Sequence, residues 1–484
     1  MGVTTVNWQG RFAILGWGVS GKASAHALVK RGAQLCAFDG RAREDDQSEN
    51  DANVEFVSEA DSDALAQAVI DWKPDCIVVS PGIPAHHPIF SAAATAGIEL
   101  IGEVELAWRL QEDSEHAGRP WLCVTGTNGK TTTVGMLGAI LRAAGENAVE
   151  VGNIGLPICE AIDTDATVFA VELSSFQLHT ASTVSPLASV CLNVDADHLD
   201  WHGSAQAYAA DKAKVYHLTQ KACFYPASDI TVENMVAEAD VVEGARAIGL
   251  TLGIPSISQV GWVEDALVER AFVEKRHMQA QFLAEVDDLR VAYHDGVTDA
   301  ARMDATAAAG LARAFGVPPE AVAQGLRSFT PAHHRRAVIS HAADVTWIDD
   351  SKATNAHAAV ASLSGITPGT AVWIAGGDTK GQEFGDLVAR VAPLLRGVVV
   401  IGKDRSAIVN ALRQRAPQIP FVEVDGHEDW MFSVVNEAVA LSRPGDTVVL
   451  APACASWDQF RSYAQRGDVF RDAVKRLEAN WAAQ

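Results

Sequence analysis

Short apolar runs rich in β-branched residues alternate along this chain with longer stretches of helical character. RFAILG (11–16) reads as a strand, followed by a glycine turn and the helical stretch KASAHALVKRG (22–32). QLCAFD (34–39) and DCIVVSPG (75–82) are further strands, the latter ending in a Pro-Gly turn. This is βαβ grammar, and it predicts a parallel sheet with crossover helices. WLCVTGTNGKTTTVGMLGAILRAAG (121–145) opens a second unit of strand, glycine loop and long helix, continued by strands in TVFAVE (167–172) and SVCLNV (189–194). Periodicity weakens over 225–300 and gives no order there. The alanine-rich MDATAAAGLARAFG (303–316) predicts a helix. A third alternating unit begins near 332, with strands in VTWIDD (345–350), TAVWIAGG (370–377), GVVVIG (397–402) and TVVLAP (447–452). The charged 41–52 reads as a loop, and the polar QEDSEHAGRP (111–120) as a linker or exposed loop. The fold class expected is α/β, in three domains at 1–102, 103–331 and 332–484.

Composition narrows the function classes. The chain has 484 residues, 48% hydrophobic and 20% charged, ordinary for a globular protein with a sizeable core. A net charge of −23 argues against nucleic acid as a partner, which needs a basic surface for its phosphates. It leaves room for an anionic small molecule held by helix N-termini and a few cations. The seven cysteines (36, 76, 123, 159, 191, 223, 454) form no CxxC pair, so neither a zinc site nor a disulfide framework is expected. The N-terminal MGVTTVNWQGR does not read as a secretory signal, and no apolar run reaches a membrane-spanning length. The expected location is the cytoplasm.

The sharpest chemical signal is TGTNGKTTT (125–133), between a predicted strand and helix. Its glycines let backbone N–H groups approach phosphate, and the helix N-terminus adds a favourable dipole. Lys130 can reach terminal phosphates and the Thr131 hydroxyl can meet Mg²⁺. Val124 stands where the common P-loop pattern has its first glycine, so the strand–loop–helix context carries the reading. GWGVSG (16–21), with Asp39 closing the next strand, is a dinucleotide fingerprint. Alone it permits an NAD-dependent dehydrogenase, but that reading leaves the second phosphate loop unexplained. Glu172 at a strand end, the acidic and histidine-rich NVDADHLDWHG (193–203; Asp195, Asp197, His198, Asp200, His202) and Lys212 follow, where Mg²⁺ ligands are expected after a phosphate loop. The last third carries Arg335, Arg336, Asp350, Lys352, Thr354, Asn355, Lys380 and Ser456 at its turns, a set suited to an anionic substrate.

In order, TGTNGKTT, ELSSFQL, NxDxDHLD, HRRAV, DDSKATN, GGDxKG and PACASxDQF resemble the Mur ligases over nearly the whole chain, and within them the branch that adds D-glutamate to UDP-N-acetylmuramoyl-L-alanine. The resemblance implies a Rossmann-like N-terminal domain, a P-loop-ATPase-like central sheet and a Rossmann-like C-terminal domain. It implies a monomer using ATP and two Mg²⁺ ions, with the fingerprint holding uridine diphosphate through Val19, Ser20, Gly40, Arg41, Ser80 and Gly82. Asn153 and Ser174 would touch the muramoyl end. Gly126, Thr127, Asn128, Gly129, Lys130, Thr131 and Thr132 would hold ATP, joined by Arg335, Asp350 and Lys352. Thr131, Glu172, His198 and a carbamylated Lys212 would hold metal. His334, Thr354, Lys380, Ser456 and Tyr463 would frame the amino acid. Lys130, His198, Lys212 and Arg335 would carry catalysis. Two departures stand out: Ala301 and Asp304 occupy the places of the family's adenine-side asparagines, and Tyr463 that of a common Phe. Related alternatives are a ligase for another amino acid or for L-glutamate, and folylpolyglutamate synthase, which would lack the first domain. A non-catalytic nucleotide-binding protein would bind ATP without ligation.

Overall fold

The computed structural model describes residues 7–42, 54–195, 197–293, 296–331, 333–426 and 429–482. Most of the loop expected at 41–52, the first six residues of the N-terminal segment and the side chain of Asp200 lie outside the described residues.

The first sheet comprises β1 (Arg11–Leu15), β2 (Gln34–Asp39), β3 (Glu55–Ser58), β4 (Cys76–Val79) and β5 (Glu99–Gly102), all parallel, in the order β3-β2-β1-β4-β5. Alternation along β1 explains the layering. Phe12 and Ile14 join a core with Ala23 and Leu28 of helix Val19–Val29, while Ala13 and Leu15 face a second core with Leu65 and Val69 of helix Ser62–Asp71. The sheet is thus buried on both faces, which is why its strands read as continuous apolar runs.

The second sheet has nine strands: β6 (Trp121–Thr125), β7 (Ala148–Gly152), β8 (Val168–Glu172), β9 (Ala188–Cys191), β10 (Ala222–Pro226), β11 (Arg246–Leu250), β12 (Gln259–Val263), β13 (Ala266–Glu269) and β14 (Gln281–Glu285). Their order is β14-β13-β12-β11-β10-β9-β6-β8-β7. The sheet is parallel from β7 to β12, but β12-β13 and β13-β14 pair antiparallel. The central sheet is therefore not wholly parallel, and the aperiodic 225–300 is where the meander lies. The predicted alanine-rich helix runs Asp299–Phe315.

The stretch 111–120 is exposed or partly exposed along most of its length, as expected, but two of its polar residues, Gln111 and Arg119, are buried. Gln111 is fully buried; its amide donates to Arg119 O (3.1 Å) and accepts from Trp121 Nε1 (2.9 Å). Arg119 lies over the Phe169 ring and donates to Ile162 O and Thr164 O. Leu28, Leu106, Trp121 and Phe169 share one core across this strap. Residues 1–288 with 303–328 accordingly form one compact unit, and 289–302 with 329–484 a second.

The third sheet, in that second unit, comprises β15 (Ala337–Ser340), β16 (Thr346–Asp349), β17 (Ala371–Gly376), β18 (Leu395–Ile401), β19 (Phe421–Glu423) and β20 (Thr447–Leu450), ordered β15-β16-β20-β17-β18-β19. Only β15 runs antiparallel. Alternation again divides two cores, Ile348, Trp373 and Val449 on one face and Trp347, Val372 and Val448 on the other. No described helix is long and apolar enough to cross a membrane.

Candidate functional site

The phosphate loop follows from the burial of β6, whose five residues are all inside. The chain leaves at Gly126 (φ 152°) and re-enters helix Lys130–Ala143 through Gly129 (φ 86°). A Cβ on Gly129 would stand 2.4 Å from Asp304 Oδ1, so the position has no room for a side chain. No side chain caps the helix, which leaves its first-turn N–H groups available to an anion. Asn193, two residues past β9, clamps the loop: Asn128 N donates to its Oδ1 (2.9 Å) and its Nδ2 donates to Asn128 O (3.2 Å). Thr127 Oγ1 and Tyr208 OH lie 3.0 Å apart. Lys130 Nζ folds back onto Gly126 O (2.8 Å) and Thr127 O (3.0 Å). Thr132 sits in the first turn of the helix, partly exposed.

Thr131 Oγ1 donates to Glu172 Oε2 at 2.5 Å, and Asn153 Nδ2 donates to Glu172 Oε1 at 2.9 Å. The structure thus joins three residues singled out from separate motifs around one buried carboxylate. Lys212 is also drawn in: its side chain is buried, its Nζ donates to Gly126 O (2.8 Å) and lies 4.7 Å from the centre of the Tyr208 ring. Burial, and then the nearby Lys130 charge, push its amine down to about 7. His198 takes a left-handed backbone (φ 52°) at the head of helix Leu199–His202; its ring lies edge-on to Phe176 and 6.4 Å from Tyr208. Tyr208, which the sequence reading passed over, is therefore shared by Thr127, Lys212 and His198.

Asp211 was also passed over. Its buried carboxylate meets His179 Nδ1 (2.8 Å), His202 Nδ1 (3.0 Å) and Lys214 Nζ (2.9 Å). Burial raises its pKa, but the His179 and Lys214 hydrogen bonds outweigh that and hold it below the usual range. Ser174 acts as the N-cap of helix Ser175–His179, in a reciprocal capping box with Gln177.

In the first sheet the strand order reverses between β1 and β4, and both candidate turns open there. Gly16 has φ 92°, and a Cβ on Gly21 would stand 2.0 Å from Gly16 O. Ser80 Oγ donates to Gly16 O (2.7 Å), binding the two turns together. Asp39 accepts from Trp17 N (2.7 Å) and Arg41 N (2.9 Å). Val19 is 73% exposed at the helix start with Ser20 beside it; Gly40 is exposed and Gly82 has open space around it. Ser80, Gly102, Gln177 and Trp201 line one cleft, which runs from the β4 turn to the helix that follows Glu172.

In the second unit, His334 (φ 62°) pairs through Nδ1 with Asp349 Oδ2 (2.7 Å), and Lys352 Nζ sits 4.0 Å from the centre of the Tyr463 ring. Burial raises Asp350 to about 6 against opposing hydrogen bonding from Ser362 and the Arg335 charge. Arg466, another residue missed, is 1% exposed and donates to Ser351 Oγ, Ser351 O, Cys454 O and Ala455 O. It fastens the loop bearing Asp350, Lys352 and Thr354 to the loop bearing Ser456. Asp378 and Ala455 exchange backbone hydrogen bonds, placing the exposed Lys380 beside them. The signal for Arg466 was only an arginine in the first turn of the last helix, indistinguishable in sequence from a surface one.

A nucleotide-dependent phosphoryl-transfer fold is what the loop, its helix and the buried carboxylate define together. Family models match in three consecutive pieces: a Mur ligase MurD-like N-terminal domain at 10–102, a Mur ligase middle domain at 124–249, and a Mur ligase glutamate ligase domain at 334–454. The chain belongs to the Mur ligase family. It is 48% identical over 473 residues to the UDP-N-acetylmuramoylalanine–D-glutamate ligase of Streptomyces coelicolor, covering 96% of this chain and 98% of that protein. It is also 48% identical over 485 residues to the enzyme of the same name from Streptomyces avermitilis, covering 98% and 100%. Among solved structures, a MurF ligase from Thermotoga maritima in complex with ADP aligns with TM-score 0.58 at 15% identity, covering 97% of this chain and 95% of that one. MurC from the same organism aligns with TM-score 0.54 at 15% identity, covering 98% and 100%. These two likenesses concern the fold, and they bear out the three-sheet α/β architecture expected from the sequence.

Proposed function

We propose that this chain joins D-glutamate to UDP-N-acetylmuramoyl-L-alanine at the expense of ATP, through an acyl phosphate, in the assembly of peptidoglycan precursors. The observation that carries the chemistry is the convergence of Lys130 and Lys212 on Gly126 O of the loop and of Thr131 and Asn153 on the Glu172 carboxylate. The relatives of the same name, matched end to end, support the choice of substrate.

The first step moves the γ-phosphoryl group from ATP to the substrate's free carboxylate, releasing ADP. Loop N–H groups and Lys130 bind the phosphates and offset the charge that builds on them. The D-glutamate amine then attacks the acyl carbon, loses a proton, and phosphate leaves from the tetrahedral centre. In this reading Arg335 stabilises the transferring phosphoryl group, with Asp350 and Lys352 on the nucleotide, and His334, Thr354, Lys380, Ser456 and Tyr463 frame the amino acid. The β1 and β4 turns take the uridine diphosphate.

No three His, Cys, Asp or Glu side chains gather as a metal cluster among the described residues. A lone carboxylate beside a threonine hydroxyl is nonetheless the donor set Mg²⁺ uses when phosphate and water fill its other positions. Thr131 and Glu172 fit one ion; His198 and Lys212, carbamylated, would serve a second. Bound Mg²⁺ supplies Lewis-acid charge neutralisation at the phosphates. A lysine held near neutrality by burial has the free amine that carbon dioxide requires. The same reading makes the protein a cytoplasmic monomer. Purified protein should form ADP and phosphate only when the sugar nucleotide and D-glutamate are both present; turnover with neither would overturn the proposal.

A further inference from the structure

Three short helices carry, or directly follow, the candidate residues of the central site. Ser175–His179 follows Glu172 and Ser174, Leu199–His202 follows His198, and Ala205–Ala213 bears Lys212. None is long enough to hold its shape or direction unaided. Each is tied instead to a single carboxylate. His179 closes the first helix, His202 closes the second, and Asp211 itself lies on the third, one residue before Lys212. Lys214 Nζ reaches back to Asp211 Oδ1 and also donates to His179 O (2.7 Å), closing the knot. The His202 ring stacks on Phe176 (5.5 Å, 13°), whose ring in turn meets His198 at 4.8 Å.

We infer that Asp211 is a positioning residue for the ligase reaction: one carboxylate that fixes the relative placement of Glu172, His198 and Lys212 through His179, His202 and Lys214. The inference rests on the ligase reading above. Its physical basis is that groups handling a phosphate and its metal must sit within a few tenths of an ångström of their working geometry, which outer partners enforce.

The same atoms also trace a Ser–His–Asp chain, since His202 Nε2 lies 3.0 Å from Ser175 Oγ. A nucleophilic role does not suit it. Ser175 is 2% and His202 8% exposed, and the carboxylate is shared among three cations or donors rather than aimed at one imidazole.

Asp211→Asn keeps the shape and removes the charge that the three partners meet. Its kcat should fall about 10–100-fold, with KM for the sugar nucleotide changed by less than about threefold. Mn²⁺ affinity, measured by electron paramagnetic resonance in the presence of ADP, should weaken about tenfold, while ADP binding without metal stays intact. His179→Gln, at the more exposed edge of the knot, should move kcat and Mn²⁺ affinity in the same direction by a smaller factor, and it carries the test if Asp211→Asn does not fold. Ser175→Ala should lower kcat by no more than about tenfold; its abolition of turnover would install the nucleophilic reading instead. Unchanged kcat and Mn²⁺ affinity in a folded variant would overturn the inference. Absence of ligation by the unmodified protein would remove the ligase reading itself.

Discussion

Lys130 and Lys212 donate to the same carbonyl oxygen, that of Gly126, each at 2.8 Å. Two cations on one acceptor in a buried setting is an arrangement at odds with stability. It is relieved if one of them gives up its charge, and Lys212, the more buried, is the one pushed down to about 7. Under the proposed function the pair would divide two roles, Lys130 meeting phosphate and Lys212 offering an amine open to modification.

Lys130→Ala should abolish turnover while leaving the fold intact, because the partly buried side chain lies over the loop and donates to its carbonyls at Gly126 and Thr127. Circular dichroism and a phosphate-release assay read the two properties separately. Activity within about threefold of the unmodified protein would remove the ATP assignment from this loop.

Lys212→Ala should cost about 100-fold or more in kcat, and short carboxylic acids added to the buffer should restore part of it by standing in for a carbamate. The contrary result is activity indifferent to both the substitution and the acids.

Glu103 offers a pH test remote from the phosphate loop. It is buried, which raises its carboxyl from 4.5 to about 7 despite the hydrogen bond from Cys159 N. The folded chain therefore holds this proton where the unfolded chain has lost it. Its contribution to stability is complete below pH 4.5 and is lost as pH rises through 7, on the order of 3 kcal/mol in all. Glu103→Gln should flatten that fall in urea denaturation midpoints measured between about pH 4 and 8. An unchanged slope in the variant would show that Glu103 titrates normally.

Arg466→Met keeps the bulk of the side chain but removes every hydrogen bond to the Ser351 and Cys454 loops. KM for the amino acid and KM for ATP should both rise, the former at least about tenfold, because the fastened loops carry Asp350 and Lys352 as well as Thr354 and Ser456. Unchanged KM values for both substrates would remove Arg466 from the framing of these loops.

The strands bearing the motifs were legible because burial on both faces makes them continuous apolar runs bounded by glycine turns: β1, β6, β17 and β20 all lie where the pattern put them. Glu172 and Asn153 were legible as types at strand ends and Thr131 at the start of a helix, yet their convergence depends on β7 and β8 lying side by side, which spacing does not encode. Asp211 was hidden beside Lys212, the one other charged residue of its helix. Its partners lie 32, 9 and 3 residues away, and only the folded chain brings them together. The β12–β14 meander was missed because antiparallel edge strands of four or five residues carry too little alternation to stand out. The exposed character of 111–120 was legible, but the burial of Gln111 and Arg119 within it was not, because both are polar and their burial is made possible by partners in Trp121, Ile162 and Thr164.

The most direct measurement is phosphate release from ATP with UDP-N-acetylmuramoyl-L-alanine in Mg²⁺ buffer, comparing D-glutamate, L-glutamate, lysine and no amino acid. The account predicts release only with D-glutamate, and none when the sugar nucleotide is omitted. Release with L-glutamate or lysine in its place would keep the ligase chemistry and contradict the assigned specificity; no release with any of them would contradict the account as a whole.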